Sequence, residues 1–422
     1  MLNHNSHALG TSGLRRHVCA ILPGQTKLVV KQTALPASAK QDTTEKCVTL
    51  CCKDIRPYDV VAGDGFVNIV QHFVNLGAKY GRFNVKDVLP HPTTVSRNVV
   101  KTAQAMKGSV AEEIKPIIEA YGCAITTDIW TEDYHKTSYI SSTIHYTNND
   151  FGLVSRVLFA APFENGTPKT QDNIRNLLFQ RLAAFGIDAS LLASRVVFVT
   201  DRGANIVAAL RAYTRLNCNA HILNVVLSSA FAPAVLDKTP ALSELLSTAK
   251  KLVKYFKHSG LQNSLDTSLK QSIETRWNSN YEMLESILTQ YDAVSQLLVA
   301  NNQYERLAPI NADTLKTVVK FLQKFKEATN LLEGNNDITA SLALPWSIKL
   351  IEHCQEHTTS PLLSEVAKVC VSRLLELMGT STYAPNKSLH MLFRIATFLK
   401  PKLRLLRMLG PDARDDVVRS MY

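Results

Sequence analysis

The chain has 422 residues, 45% of them hydrophobic and 20% charged, with a formal net charge of +11 at pH 7 and eight cysteines. That length can bury large cores in two or three domains, the mixed charges exclude a wholly disordered chain, and so few thiols exclude a disulfide scaffold. The excess of cations points to a polyanion, most simply nucleic acid, although a solvated basic surface has the same composition.

Residues 1–55 show weak periodicity and polar clusters, and read as mostly extended or flexible. From Arg56 an apolar stripe appears, with Phe66, Ile69, Val70, Phe73 and Val74 at helical spacing. That helix should stop between Gly77 and Gly81, and Pro90 and Pro92 break the chain. Thr93 is placed to cap a second helix through Val95, Val99, Val100 and Ala103 toward Ile114. Two short amphipathic helices make a poor core alone, so this region is expected to pack against another chain or domain.

From Cys123 the period becomes that of strands. Residues 123–131, 137–146 and 152–162 read as three strands, the last two joined by a turn at Asn148, Asn149 and Asp150. Residues 170–185 read as a helix with Ile174, Leu177, Leu178 and Leu182 on one face. Residues 195–200 (RVVFVT) are short and apolar, as a strand covered on both sides of a sheet must be. The order β-β-β-α-β is the first part of an RNase H-like fold. Beyond about His221 helical spacing dominates, at residues 249–258, 282–299, 313–332, 338–357 and 362–378. The longest apolar run, residues 222–236, is broken by Asn224, Ser228, Ser229 and Pro233 and is too short to span a bilayer, and the N-terminus has no apolar signal core. A reducing, intracellular setting without membrane contact is expected.

Asp128 ends the first strand and Asp201 follows the fourth. Each alone reads best as a turn or cap residue. In a β-β-β-α-β sheet, however, the first and fourth strands are parallel neighbours, so both carboxylates would meet at one edge. Two adjacent carboxylates repel and call for a counter-charge, which Mg²⁺ or Mn²⁺ supplies. Cys218 and His221 form a C-x2-H pair that is half a zinc site at most, and a lone pair of this kind is more often structural; His221 could instead bond a phosphate oxygen. Trp277 follows Arg276 at a helix start, which suits either a core ring beside a surface cation or base stacking beside a phosphate. Lys250, Lys254 and Lys257 share one helix face, and Arg202 adjoins Asp201. Arg394, Lys400, Lys402, Arg404 and Arg407 form a second basic stretch. His353-Cys354-Gln355-Glu356-His357 matches the inverted zinc-protease pattern H-x-x-E-H, a short match that arises readily by chance.

The motifs TTDIWT, VTDRGAN, CNAHILN and TRWNSNYEMLESIL, in this order and spacing, resemble those of the hAT superfamily of DNA transposases, notably its Hermes and hobo group. GDGFVNIVQHFVNLGAKYG and LPHPTTVSRNV resemble that family's DNA-binding and dimerising helices, and Leu14 to Cys19 resembles the tail of its BED-type zinc finger. The resemblance implies an α/β plus α fold, with an RNase H-like core interrupted by an all-α insertion and preceded by a small helical domain. The corresponding boundaries are 1–55 for the finger remnant, 56–120, 121–235 for the core and 236–422 for the insertion. It implies Asp128, Asp201 and His221 as catalytic residues, the two aspartates as Mg²⁺ or Mn²⁺ ligands, and Trp277 as the ring that stacks on a flipped base. The implied partners are transposon-end DNA and further copies of the chain, in a nucleus. The finger lacks its first CxxC, so zinc there is not expected, and the family's third acid, a Glu, finds no counterpart before Tyr422; a site of two acids is therefore expected.

Overall fold

The computed structural model describes residues 35–164, 166–273, 277–334, 338–378 and 391–421. The chain divides into two compact units, Met1–Arg97 and Asn98–Tyr422. The finger-like segment from Leu14 to Cys19 lies outside the described residues.

Residues 37–54 are not extended, as the sequence suggested, but form helix α1 (Ala37–Asp54). It carries almost no apolar stripe and buries only Cys51, so periodicity could not announce it. Ala37, Ala39, Gln41, Glu45 and Lys46 favour helix intrinsically, and Thr43, Thr44 and Thr49 turn their hydroxyls back onto carbonyls four residues earlier. Helix α2 (Asp64–Tyr80) ends where expected, at Gly81 with φ +80°. Helix α3 (Pro92–Tyr121) starts one residue before the expected cap. Its first turn is held by the His91 ring, whose Nδ1 accepts from Thr93 N at 3.3 Å, and Pro92 takes the first position, where no amide is needed.

Five strands follow: β1 (Cys123–Thr131), β2 (Ser138–Thr147), β3 (Leu153–Pro162), β4 (Val196–Thr200) and β5 (Arg215–Asn217). Asn148 Oδ1 closes the β2–β3 turn by accepting from Asp150 N and Gly152 N at 3.1 and 2.8 Å. The sheet order is β3-β2-β1-β4-β5, with antiparallel pairing in the meander and parallel pairing of β4 with both β1 and β5. Between β3 and β4 lies α4 (Gln171–Ala183), capped by Thr170 Oγ1, which accepts from Asn173 N at 3.4 Å. Between β4 and β5 lies the short α5 (Ala204–Ala209), and α6 (Asn219–Ala230) follows β5.

Alternation along β4 explains its wholly apolar sequence. Val196 and Phe198 join Ile174, Leu178 and Leu182 of α4 and Ile114 and Ile118 of α3 in one core. Val197 and Val199 pack with Leu216 against a second core on the opposite face. Full burial of a side chain such as Phe198 contributes roughly 1.5–3 kcal/mol.

The helices beyond α6 form a third core: α7 (Pro240–Ser259), α8 (Asn278–Thr289), α9 (Tyr291–Ala300), α10 (Ala312–Leu332), α11 (Ala343–Glu356) and α12 (Ser364–Met378). The expected single helix at 282–299 is broken at Gln290, whose amide grips the backbone of Thr267: Nε2 donates to its carbonyl at 2.7 Å, and Oε1 accepts from its N–H at 3.3 Å. Helices α13 (Met391–Leu399) and α14 (Pro411–Arg419) place Phe393 and Val417 in the sheet-facing core with Leu344 and Ile348. Arg394, read as part of a second basic stretch, is buried there, where burial lowers its pKa and the charge of Asp416 opposes that shift.

Candidate functional site

Sheet pairing brings together the two segments that carry the aspartates. The parallel β1–β4 ladder ends at the Thr126–Val199 pair. Asp128 lies two residues further along β1, not at its end but still inside the strand and opposite Ser141 of β2, and Asp201 follows Thr200, the last residue of β4. Side chains alternate along a strand, so Asp128 shares the face of Thr126, and the charges of both aspartates act on His221. Each is anchored by one oxygen: Asp128 Oδ1 accepts from Ile129 N at 2.9 Å and Asp201 Oδ1 from Gly203 N at 3.1 Å. A Cβ on Gly203 would stand 3.3 Å from Asp201 Oδ1 and 3.5 Å from Oδ2, so glycine leaves the carboxylate its room.

His221 joins this edge from the first turn of α6. Its hydrogen bond with Cys218 raises its pKa to about 9; burial opposes the rise, and the charges of Cys218, Asp128 and Asp201 add to it. Those two couplings place the imidazole within electrostatic reach of both acids, and at neutral pH it is a cation. Burial pushes the Cys218 thiol up, but hydrogen bonds from the His221 side chain and backbone outweigh it, so the net shift is downward. Each member of the pair therefore favours the charged form of the other.

Sequence reading missed three neighbours. Arg215 on β5 donates through Nη1 to Thr200 Oγ1 at 3.0 Å and to the Asp201 carbonyl at 3.2 Å, tying the acid-bearing turn to its strand. Lys169 donates through Nζ to Thr131 Oγ1 at 2.9 Å, and Asn205 Nδ2 holds the Lys169 carbonyl at 2.6 Å. Only the fold joins these segments, so no local motif could announce them. Trp130 and Tyr139, paired across β1 and β2, stack at 5.5 Å with 16° between their planes, and Trp130 stays 40% exposed on the face of Asp128. Arg202 is exposed beside Asp201.

The remaining sequence candidates gather elsewhere. Trp277 belongs to the third core, is only 6% exposed, and meets Phe325 edge to face at 6.2 Å. Its amide donates to Asn224 Oδ1 at 3.2 Å. Beside the ring opens a cavity of about 340 Å³, lined also by Lys250, Ser272 and Asn280. Lys250, Lys254 and Lys257 are exposed along α7, and Lys257 Nζ donates to Gln271 Oε1 at 3.2 Å. Arg276 lies outside the described residues. No described helix is long and apolar enough to cross a membrane. Among the described residues no third His, Cys or acid completes a metal-ligand cluster with Asp128 and Asp201.

Residues 31–94 match the family described as the Hermes transposase DNA-binding domain, and residues 216–325 match the ZBED1 RNase-like helical domain. The chain is 34% identical to the hobo transposase of Drosophila melanogaster over 349 residues, which is 82% of this chain and 51% of the relative. It is 26% identical to an AC transposase of Zea mays over 303 residues, 65% of this chain and 36% of that protein. It is also 21% identical to zinc finger protein 618 of Mus musculus over 401 residues, covering 94% of this chain and 40% of that one. The chain thus spans about half the length of these relatives, or less.

Proposed function

We propose, on the premise that the chain belongs to the hAT transposase superfamily, that it binds transposon-end DNA and presents it to a metal-dependent cutting site at Asp128 and Asp201. The observation that supports this reading is the parallel pairing of β1 with β4, beyond whose last pair both aspartates follow, together with the action of both their charges on His221. The sheet and its flanking helices are then an RNase H-like core over about 121–235, the helices over 236–422 its insertion, and 56–120 the DNA-binding and self-associating part.

The donor set fits Mg²⁺ or Mn²⁺. Each carboxylate has one oxygen anchored by a backbone amide and a second to offer, and hard dications take oxygen ligands. Such ions would activate a water or 3′-hydroxyl and stabilise the leaving oxygen. The protein's own part is to hold the acids rigidly, through Gly203 and Arg215, and to aim the His221 cation at a phosphate oxygen. Lys250, Lys254, Lys257, Arg276 and Arg202 would follow the DNA backbone. Trp277 would stack on a flipped base entering the adjacent cavity, which requires the ring to leave part of its packing on Phe325. Exposed apolar residues of α2 and α3 would join copies of the chain, and DNA as substrate assigns the protein to the nucleus.

A second reading, DNA binding without cleavage, is supported by the similarity to zinc finger protein 618 along nearly the whole chain. Cleavage of labelled transposon-end DNA in Mg²⁺ or Mn²⁺ separates the two. On the first reading the chain cuts, and Asp128→Ala or Asp201→Ala each lowers the rate by about 10³-fold with DNA binding kept. Retention without cutting selects the second reading, and failure to retain the DNA sinks both.

A further inference from the structure

We infer that His353, Glu356 and His357, at the end of α11, form a binding site for a borderline divalent cation of the zinc class, separate from the acidic edge. The spacing i, i+3, i+4 puts all three on one side of the last helical turn. Ligand atoms of the three lie within 4.8 Å of one another. A tetrahedral ion with ligands at about 2.0–2.2 Å needs them somewhat closer, so binding would draw the three side chains together.

Hydrogen bonding fixes which nitrogen of each ring is available. His353 Nε2 stands 3.1 Å from the Phe321 carbonyl and His357 Nδ1 stands 2.9 Å from the His353 carbonyl. A carbonyl only accepts, so those nitrogens carry the protons. His353 Nδ1 and His357 Nε2 therefore keep their lone pairs. Metal-ligating histidines characteristically commit the second ring nitrogen to a carbonyl or carboxylate in this way. The plainer account is aromatic packing, because both imidazoles lie 5.2 Å from the Phe321 ring. That packing places the rings but assigns nothing to Glu356, which is exposed beside them.

The electrostatics agree. Burial lowers the His353 pKa, which keeps the ring neutral and able to ligate at pH 7. Lys324, the cation facing it from α10, is paired with Glu327 at 3.0 Å, and Glu356 adds negative charge. Two imidazoles and one carboxylate suit zinc or cobalt and leave a fourth position to water, whereas the aspartate pair offers hard oxygen alone. An ion held there would fix the His353 ring, whose Nε2 donates to the Phe321 carbonyl of α10.

Co²⁺ titration of the full chain, read by visible absorption with excess Mg²⁺ to occupy the acidic edge, tests the site. One equivalent should bind and be displaced by Zn²⁺. His357→Ala and Glu356→Gln should each weaken it about tenfold or more, while His258→Ala, exposed on α7, leaves it unchanged. Glu356 is a surface residue, so its variant tests the site without endangering the fold. Absence of a saturable signal, equal affinity in the His357 and Glu356 variants, or a thiolate charge-transfer band reporting Cys218 instead would each overturn the proposal.

Discussion

Helices α2 and α10 carry comparable apolar stripes and meet opposite fates. Along α10, Leu315, Val318, Phe321, Leu322 and Phe325 are all buried among the neighbouring helices. Along α2 no residue is buried, and Val67, Ile69, Val70 and Val74 stay about half exposed. An amphipathic stripe states that a helix has a face to hide; it does not state against what. In α10 the partner lies in the same chain, whereas among the described residues the stripe of α2 stays exposed.

The comparison can be broken by mutation, and the largest effect belongs to α10. Phe325→Ala removes a fully buried ring and should cost about 3–5 kcal/mol in urea unfolding. A cost below about 1 kcal/mol would mean that the helical core is loosely packed.

Next comes the junction between α3 and the sheet. Gly122 has φ +75°, and a Cβ there would stand 2.7 Å from the Arg195 carbonyl, which accepts from Cys123 N. Gly122→Ala should destabilise by about 1–3 kcal/mol, measured in the same titration. A neutral result would show that the backbone at this joint can shift freely.

A smaller, pH-dependent effect belongs to His221. Its folded pKa of about 9 lies above the ordinary 6.5, so its contribution to stability is fully present below pH 6.5 and is lost as pH rises through about 9. His221→Gln should therefore unfold more easily than the parent at pH 6–7 and converge with it above pH 9. Parallel curves across that range would remove the imidazolium from the acidic edge.

The smallest effect on stability belongs to α2. Val70→Ser should change the unfolding free energy by no more than about 0.5 kcal/mol, yet weaken self-association in sedimentation experiments. A large loss of stability would show that the stripe is packed within the chain after all.

How much of this was legible in the sequence follows the range of the forces involved. Strands β1 to β4, helices α2, α4, α7, α10 and α12, and the Gly81 stop were readable because apolar periodicity and glycine conformation are local. Helix α1 was missed because it has no buried face to repeat. The short α5 and β5 were missed because their few residues take their form from the sheet they join. The two aspartates could be named in advance, and an order of β-β-β-α-β already implied that their strands were parallel neighbours. The register of those strands, Thr126 against Val199, joins segments far apart in the chain, and only backbone pairing fixes it.

The sequence by itself determined the alternation of β4, the apolar faces of the helices, the family motifs and the positions of Asp128, Asp201 and His221. The tertiary structure alone decided that Arg394 is buried while Lys254 is not, that Trp277 lies against Phe325, and that Lys169, Thr131 and Asn205 are joined beside the acids. The physical reason is the same in each case. Propensity and periodicity act over one or two turns of chain, whereas burial and hydrogen bonding between distant segments depend on which surfaces the fold brings into contact.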